Sequence, residues 1–82
     1  MKATKEDIDR ERELQTDIWC YRKRFYNPED SEEYWNDVVS VATEIGKKYN
    51  NDPYVKDMLT ACAMDFDRRF REKMKEEEYE NI

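Results

Sequence analysis

Few residue types in this chain are suited to covalent or metal chemistry. Its 82 residues include no histidine, two cysteines and one glycine. Without histidine, the usual Ser–His or Cys–His pair and a histidine-ligated zinc site are excluded. The single glycine, Gly46, cannot build a P-loop or a dinucleotide-binding loop, and Cys20 and Cys62 lack the C-x-x-C spacing of metal and redox motifs. We therefore expect a protein that is not an enzyme and that uses no cofactor or metal.

Carboxylates are the reactive groups that this chain has in excess, and they are concentrated in its middle. The formal net charge is −6, and residues 27–52 hold seven acidic and two basic groups. Such a segment is suited to binding a basic surface on another protein. The candidate carboxylates are Glu29, Asp30, Glu32, Glu33, Asp37 and Glu44.

Two basic clusters offer the opposite chemistry. They consist of Arg22, Lys23 and Arg24 in the first cluster, and of Arg68, Arg69 and Arg71 in the second. If the helices that carry them run parallel, both clusters meet at one end of the molecule, where they would suit a nucleic acid or a nucleotide. The alternative is that these cations neutralise the nearby carboxylates of residues 29–37, because basic residues are common near helix C-termini.

Aromatic and apolar side chains outside the main core pattern are the remaining candidates for partner binding. Trp19 and Tyr26 flank the apolar face of the first helix, and we expect them to pack against the third helix. Otherwise they would anchor a partner, since Trp and Tyr dominate interface hot spots. Phe70 and Met74 carry the same ambiguity near the end of the third helix, where they would support self-association.

Two prolines define the elements that must position these groups. Pro28 and Pro53 divide the chain into three stretches with helical periodicity, which predicts helices over about 5–26, 31–49 and 53–79. Thr4 with Asp7 resembles a capping box for the first helix, and Asp52 before Pro53 is a cap for the third.

Short connections favour antiparallel neighbours, so we expect an all-α protein: a small antiparallel three-helix bundle, up-down-up, with a long third helix. Residues 1–82 form a single helical domain at this length. The periodicity places Ile8, Tyr49 and Val55 in the lowest core layer, with the last turns of the third helix extending beyond the bundle.

These observations together predict a small acidic module for protein–protein interaction, acting as a regulator or inhibitor in the cytoplasm. No apolar stretch is long enough for a secretory signal or a membrane helix, and two cysteines without motif spacing suit a reducing compartment. By analogy with small acidic helical proteins of mobile elements, the more specific hypothesis is that this regulator or inhibitor is a decoy for a nucleic-acid-binding protein. The alternatives are nucleic-acid or nucleotide binding through the basic clusters, and a structural homo-oligomer such as a homodimer.

Overall fold

The computed structural model describes residues 1–80 and consists of three α-helices joined by short connections. These are α1 (Lys5–Arg24), α2 (Glu32–Lys48) and α3 (Pro53–Glu80), with no strand among the described residues. The all-α fold and the three-helix order predicted from the sequence are confirmed. The first helix ends at Arg24 rather than near residue 26, because Phe25 leaves helical geometry and forms the C-cap.

Each helix begins at a side chain that accepts a backbone hydrogen bond. The Asp7 N–H donates to Thr4 Oγ1, and the Thr4 N–H donates to the Asp7 carboxylate, which completes the predicted capping box. The Tyr34 N–H donates to Ser31 Oγ at 3.1 Å, so Ser31 is the N-cap of α2. Asp52 accepts from the Tyr54 N–H at 2.9 Å ahead of Pro53. These caps fix where α2 and α3 start, and therefore which side chains share each end of the bundle.

Contacts between helices give the predicted up-down-up order. Tyr21 donates to the Val38 carbonyl, and Lys48 donates to Asp17. The later residue of α1 thus contacts the earlier residue of α2, so these two helices are antiparallel. Arg22 meets Asp65 and Tyr26 meets Arg69, a constant offset that makes α1 and α3 parallel. The C-terminal end of α1, the start of α2 and the later half of α3 therefore lie at the same end.

The core is narrow and largely aromatic at this end of the bundle. Tyr21 packs edge-on against Phe25 and Phe66, with both pairs of ring centroids 5.4 Å apart. Phe25 in turn packs against Tyr34 at 5.5 Å. Among the residues whose side chains the structure describes, the core consists of Leu14, Ile18, Tyr21, Phe25, Tyr34, Val38, Tyr49, Val55, Leu59, Cys62 and Phe66. The edge-to-face geometry adds stabilisation beyond the area that is buried.

The lowest core layer differs from the prediction because Ile8 does not belong to it. Its side chain is 44% exposed. Tyr49, the buried C-cap of α2, lies instead against Arg10 and Asp17, which are about half a turn and two and a half turns beyond Ile8 along α1. The first turns of α1 therefore extend past the end of α2 and have no helix to cover them.

Candidate functional site

Arginines of the two basic clusters meet on a single carboxylate, Asp65. Arg22 Nη1 lies 2.6 Å from Asp65 Oδ2, and Arg69 Nε lies 3.0 Å from the same oxygen. Arg68 Nη1 lies 3.2 Å from Asp65 Oδ1. The clusters therefore do come together as their parallel helices predict, but around an internal counter-ion.

Asp65 is held in its ionised form by these arginines. Hydrogen bonds from Arg22 and then from Arg69 lower the pKa of the Asp65 carboxyl below its ordinary value, against a smaller opposing effect of burial. The carboxylate therefore remains charged at neutral pH. Asp65 occupies hydrogen-bond donors of three guanidinium groups. An external phosphate would need these same donors.

Tyr26 packs against the arginine cluster while remaining 44% exposed. The Arg69 guanidinium carbon is 4.0 Å from the centre of the Tyr26 ring, and Arg69 Nη2 donates to Tyr26 Oη at 3.0 Å. Lys73 Nζ donates to the Pro28 carbonyl at 3.1 Å nearby. Tyr26 therefore contacts the third helix as expected, and this contact ties the first connection to α3.

The other cations of the clusters also have neighbours within the molecule. Arg71 pairs with Asp67 at 3.0 Å, and Arg24 lies 4.0 Å from Asp37. Lys23 Nζ lies 5.4 Å from the centre of the Trp19 ring. The expectation that the carboxylates of residues 29–37 neutralise these cations holds only for Asp37. The main partners are Asp65 and Asp67 of α3. Arg68, Arg69 and Arg71 reach them at spacings of three or four residues within α3, and the packing of α1 on α3 adds Arg22.

The carboxylates around the start of α2 form what we call the acidic end, which comprises Glu29, Asp30, Glu32, Glu33 and Asp37. All but Asp37 are exposed, and within residues 1–80 none of these four forms an ion pair. Glu29, Glu33 and Asp37 line a polar depression of about 280 Å³, which Arg24 also lines. The depression opens directly to solvent, so a partner's cations can reach it.

The backbone that carries the acidic end is well anchored. Tyr34 Oη donates to the Phe25 carbonyl at 2.6 Å inside the core, and Pro28 is buried. The N-terminus of α2 also favours negative charge through the helix dipole. The backbone beneath the carboxylates is thus fixed, which reduces the conformational entropy that is lost when a partner binds.

Glu44, the sixth candidate carboxylate, does not belong to the acidic end. It is exposed and lies 11 residues after Glu33 along α2, which corresponds to about 16 Å of helix. Its spacing from Glu33 and Asp37 places it on the same side of the helix, but well outside the depression. It is a separate surface charge.

The apolar candidates separate into buried and exposed groups. Phe70 is half-buried, with its ring 5.6 Å from that of Trp35, so it packs beside the upper end of the core. Trp19 is 59% exposed, which contradicts the expectation that it packs into the bundle against α3. It lies outside the line of Leu14, Ile18 and Tyr21 that α1 buries. Met74 is 37% exposed on the part of α3 that extends beyond α2.

Sequence reasoning missed a polar network at the opposite end of the bundle. Asp17 accepts from Tyr49 Oη at 2.6 Å and from Lys48 Nζ at 2.9 Å. Burial is the largest single effect on the pKa of Asp17 and raises it, but the hydrogen bonds from Tyr49 and Lys48 and the charge of Lys48 together outweigh burial, so the pKa is lowered. The pKa of Tyr49 is raised to about 12 by burial and by its bond to the carboxylate. No periodicity indicates this network, because Asp17 lies 31 residues before Lys48 and 32 before Tyr49.

A second missed feature is an apolar groove between α2 and α3, on the side away from α1. Its volume is about 320 Å³. Val39, Ala42 and Thr43 line it from α2, and Thr60 and Ala63 line it from α3. The spacing of Val39, Thr43 and Gly46 along α2 is helical, and this pattern was the available signal.

Comparison of the chain with models of known protein families, with curated proteins and with solved structures finds no match. Within residues 1–80, no three His, Cys, Asp or Glu side chains are grouped so that they could hold a metal ion. None of the helices in that part of the chain has the length and apolarity needed to cross a membrane.

Proposed function

We propose that this protein binds another protein, and that its acidic end contacts a basic surface of that partner. The observation that carries the proposal is the difference between the two kinds of charge. The arginines of the basic clusters pair with internal carboxylates, chiefly Asp65 and Asp67. Four carboxylates of the acidic end form no ion pair within residues 1–80, and the one cation that lines their depression, Arg24, lies 4.0 Å from Asp37. An exposed charge without an internal partner remains free for an external one.

The acidic end suits recognition by charge better than recognition by apolar burial. Its depression is lined mainly by polar groups, and complementary potentials raise association rates and exclude wrong partners. A nucleic-acid-binding protein is the class of partner whose basic surface fits best, and a decoy or inhibitor that covers this surface in the cytoplasm is the sharper form of the proposal. No catalytic role is proposed.

The test is a tagged pull-down from lysate of the cells that make the protein, after nuclease treatment, with quantitative mass spectrometry. The triple variant Glu29→Gln/Asp30→Asn/Glu33→Gln removes three charges from the acidic end. The control variant Asp9→Asn/Glu11→Gln/Asp57→Asn removes three exposed charges at the opposite end of the bundle. Circular dichroism verifies that both variants remain helical.

We expect the wild-type protein and the control variant to recover the same basic protein in stoichiometric amount. The triple variant should recover about tenfold less, because each lost charge pair weakens binding by about 0.5 kcal/mol. Recovery of no stoichiometric protein, or equal recovery by both variants, would overturn the proposal. Loss of every partner on nuclease treatment would transfer the function to nucleic-acid binding by the basic clusters.

A further inference from the structure

We propose that two copies of this chain pair through the groove between α2 and α3, antiparallel to each other and related by a twofold axis. This interface lies on the side of α2 that faces away from α1, whereas Glu33 and Asp37 of the acidic end lie on the side near α1. Glu32 is the residue of the acidic end that lies on the groove side, so the two proposals share this position, and neither requires the other.

The first observation is the apolar character of the groove in a very polar chain. The mean hydropathy of the chain is −1.27, yet Val39 is 65% exposed at the rim of the groove. Ala42 and Ala63 line its interior, and Leu59 lies at its base. Met64, 60% exposed, lies next to Ala63 on α3. Covering these groups with a second apolar face is favourable by about 25 cal/mol for each Å² removed from water.

The second observation is that opposite charges lie at the two ends of this face. Lys47 and Lys56 line the lower end of the groove. Glu32 lies seven residues before Val39 on α2, and Asp67 lies four residues after Ala63 on α3. At these spacings both carboxylates share the groove side of their helix, toward its upper end. Asp67 is paired with Arg71 at 3.0 Å, so the unpaired carboxylate at the upper end of the face is Glu32, while the lower end carries the two lysines.

Antiparallel pairing makes this arrangement complementary to itself. A twofold axis near Val39 and Ala63 places the lysine end of one copy against the acidic end of the face of the other, twice in each dimer. A parallel pairing would instead bring Lys47 and Lys56 against the same lysines. These charges therefore favour pairing with a second copy of this chain in the antiparallel orientation. Charged side chains set partner and orientation in the same way in coiled coils.

The size of the face sets the expected affinity. Helix α2 has 17 residues and is about 25 Å long, and two adjacent helices are about 20 Å wide together. The projected area of about 500 Å² is below the roughly 800 Å² per partner of a standard interface. We therefore expect a reversible dimer with a Kd in the range of about 1–100 µM.

The test is sedimentation equilibrium of the full chain from about 1 to 300 µM, a range that spans the expected Kd. The mass should rise with concentration from that of the 10.1 kDa monomer toward twice this value. The variant Val39→Glu/Thr60→Glu places carboxylates at two exposed positions of the groove and should remain monomeric. The control Ile8→Glu/Thr16→Glu makes a matched change on an exposed part of α1 and should dimerise normally.

A charge exchange tests the orientation. Lys47→Glu/Lys56→Glu should weaken the dimer at least tenfold, and adding Glu32→Lys/Asp67→Lys to the same chain should restore it. A chain that stays monomeric at 300 µM overturns the proposal, as does a dimer that the groove variant leaves intact or a charge exchange without restoration. None of these positions is changed in the acidic-end triple variant, so failure of either proposal leaves the other standing.

Discussion

At the scale of single residues, two tyrosine hydroxyl groups help to join α1 to the start of α2. Tyr21 Oη donates to the Val38 carbonyl at 3.0 Å, and Tyr34 Oη donates to the Phe25 carbonyl at 2.6 Å. Both residues are buried, so a polar group left without its partner would be costly there. Burial raises the pKa of both phenols, which remain protonated donors at neutral pH.

Replacing Tyr21 with phenylalanine should therefore destabilise the protein while leaving its fold intact. Tyr21→Phe removes one buried hydrogen bond, which contributes about 1 kcal/mol to the free energy of unfolding. In a domain of this size that lowers the Tm by about 4–8 °C. Thermal unfolding followed by circular dichroism measures the change. Tyr54→Phe, at an exposed position, is the matched control and should unfold within about 1 °C of wild type.

The internal neutralisation of the basic clusters could be predicted only in part. The Arg69–Asp65 and Arg71–Asp67 pairs follow from a spacing of four residues on one helix. Arg22 is 43 residues from Asp65, and their contact depends on how far α1 slides along α3. No sequence pattern fixes this offset to within one turn, so the common counter-ion was missed.

At the scale of the elements, α1 has two parts with different support. Residues 5–13 are exposed throughout, while Leu14, Ile18 and Tyr21 are buried in the bundle. The capping box of Thr4 and Asp7 stabilises the first part locally. Few contacts with the rest of the molecule hold it, so it opens at a lower free energy than the bundle.

Alanine substitutions on α1 should reveal this boundary. Leu14 is fully buried, so Leu14→Ala should reduce the free energy of unfolding by about 2–5 kcal/mol. Ile8→Ala should reduce the free energy of unfolding by less than about 1 kcal/mol, because nearly half of the Ile8 surface is already exposed to water. Urea unfolding provides both values, and an equal cost at the two positions would contradict the description of α1.

The helices themselves were predictable because their signals are local. Pro28, Pro53 and the apolar repeats locate all three, and the ends differ from expectation by only one or two residues. The position of α1 relative to α2 is not a local property. It follows from the connection between them and from Tyr49 settling beside Asp17, which is why Ile8 was wrongly placed in the core.

At the scale of the whole molecule, the bundle is long and unevenly charged. Its radius of gyration is 15.8 Å, against about 12 Å for a compact domain of this length. The acidic end was predictable from the composition of residues 27–52, since exposed carboxylates follow from their sequence. The groove was not predicted, because it exists only where α2 and α3 lie side by side.

The unfolding free energy should be greatest between about pH 5 and pH 9. Asp7, Asp17, Asp52 and Asp65 have pKa values lowered by hydrogen bonds in the folded state. The unfolded chain therefore binds more protons near pH 4, and stability falls on acidification. Tyr49, with its pKa raised to about 12, ionises more readily when unfolded, so stability also falls above about pH 10.

Urea unfolding at several pH values in about 0.3 M salt checks this profile, because salt screens the general repulsion of the acidic chain. Asp65→Asn should make the decrease in unfolding free energy below pH 5 less steep. Asp57→Asn, at an exposed position without an ion pair, should leave this decrease unchanged. Stability that rises between pH 5 and pH 3 would contradict the assignment of these carboxylates.

The acidic end is proposed to bind a basic protein surface by charge. The most direct measurement is the Kd of the recovered partner, by calorimetry, across about 0.05–0.3 M salt for wild type and for Glu29→Gln/Asp30→Asn/Glu33→Gln. We predict that the wild-type Kd rises about tenfold or more over this range and that the triple variant binds weakly with a shallower dependence. A wild-type Kd insensitive to salt, or a variant that binds as tightly as wild type, would contradict the claim.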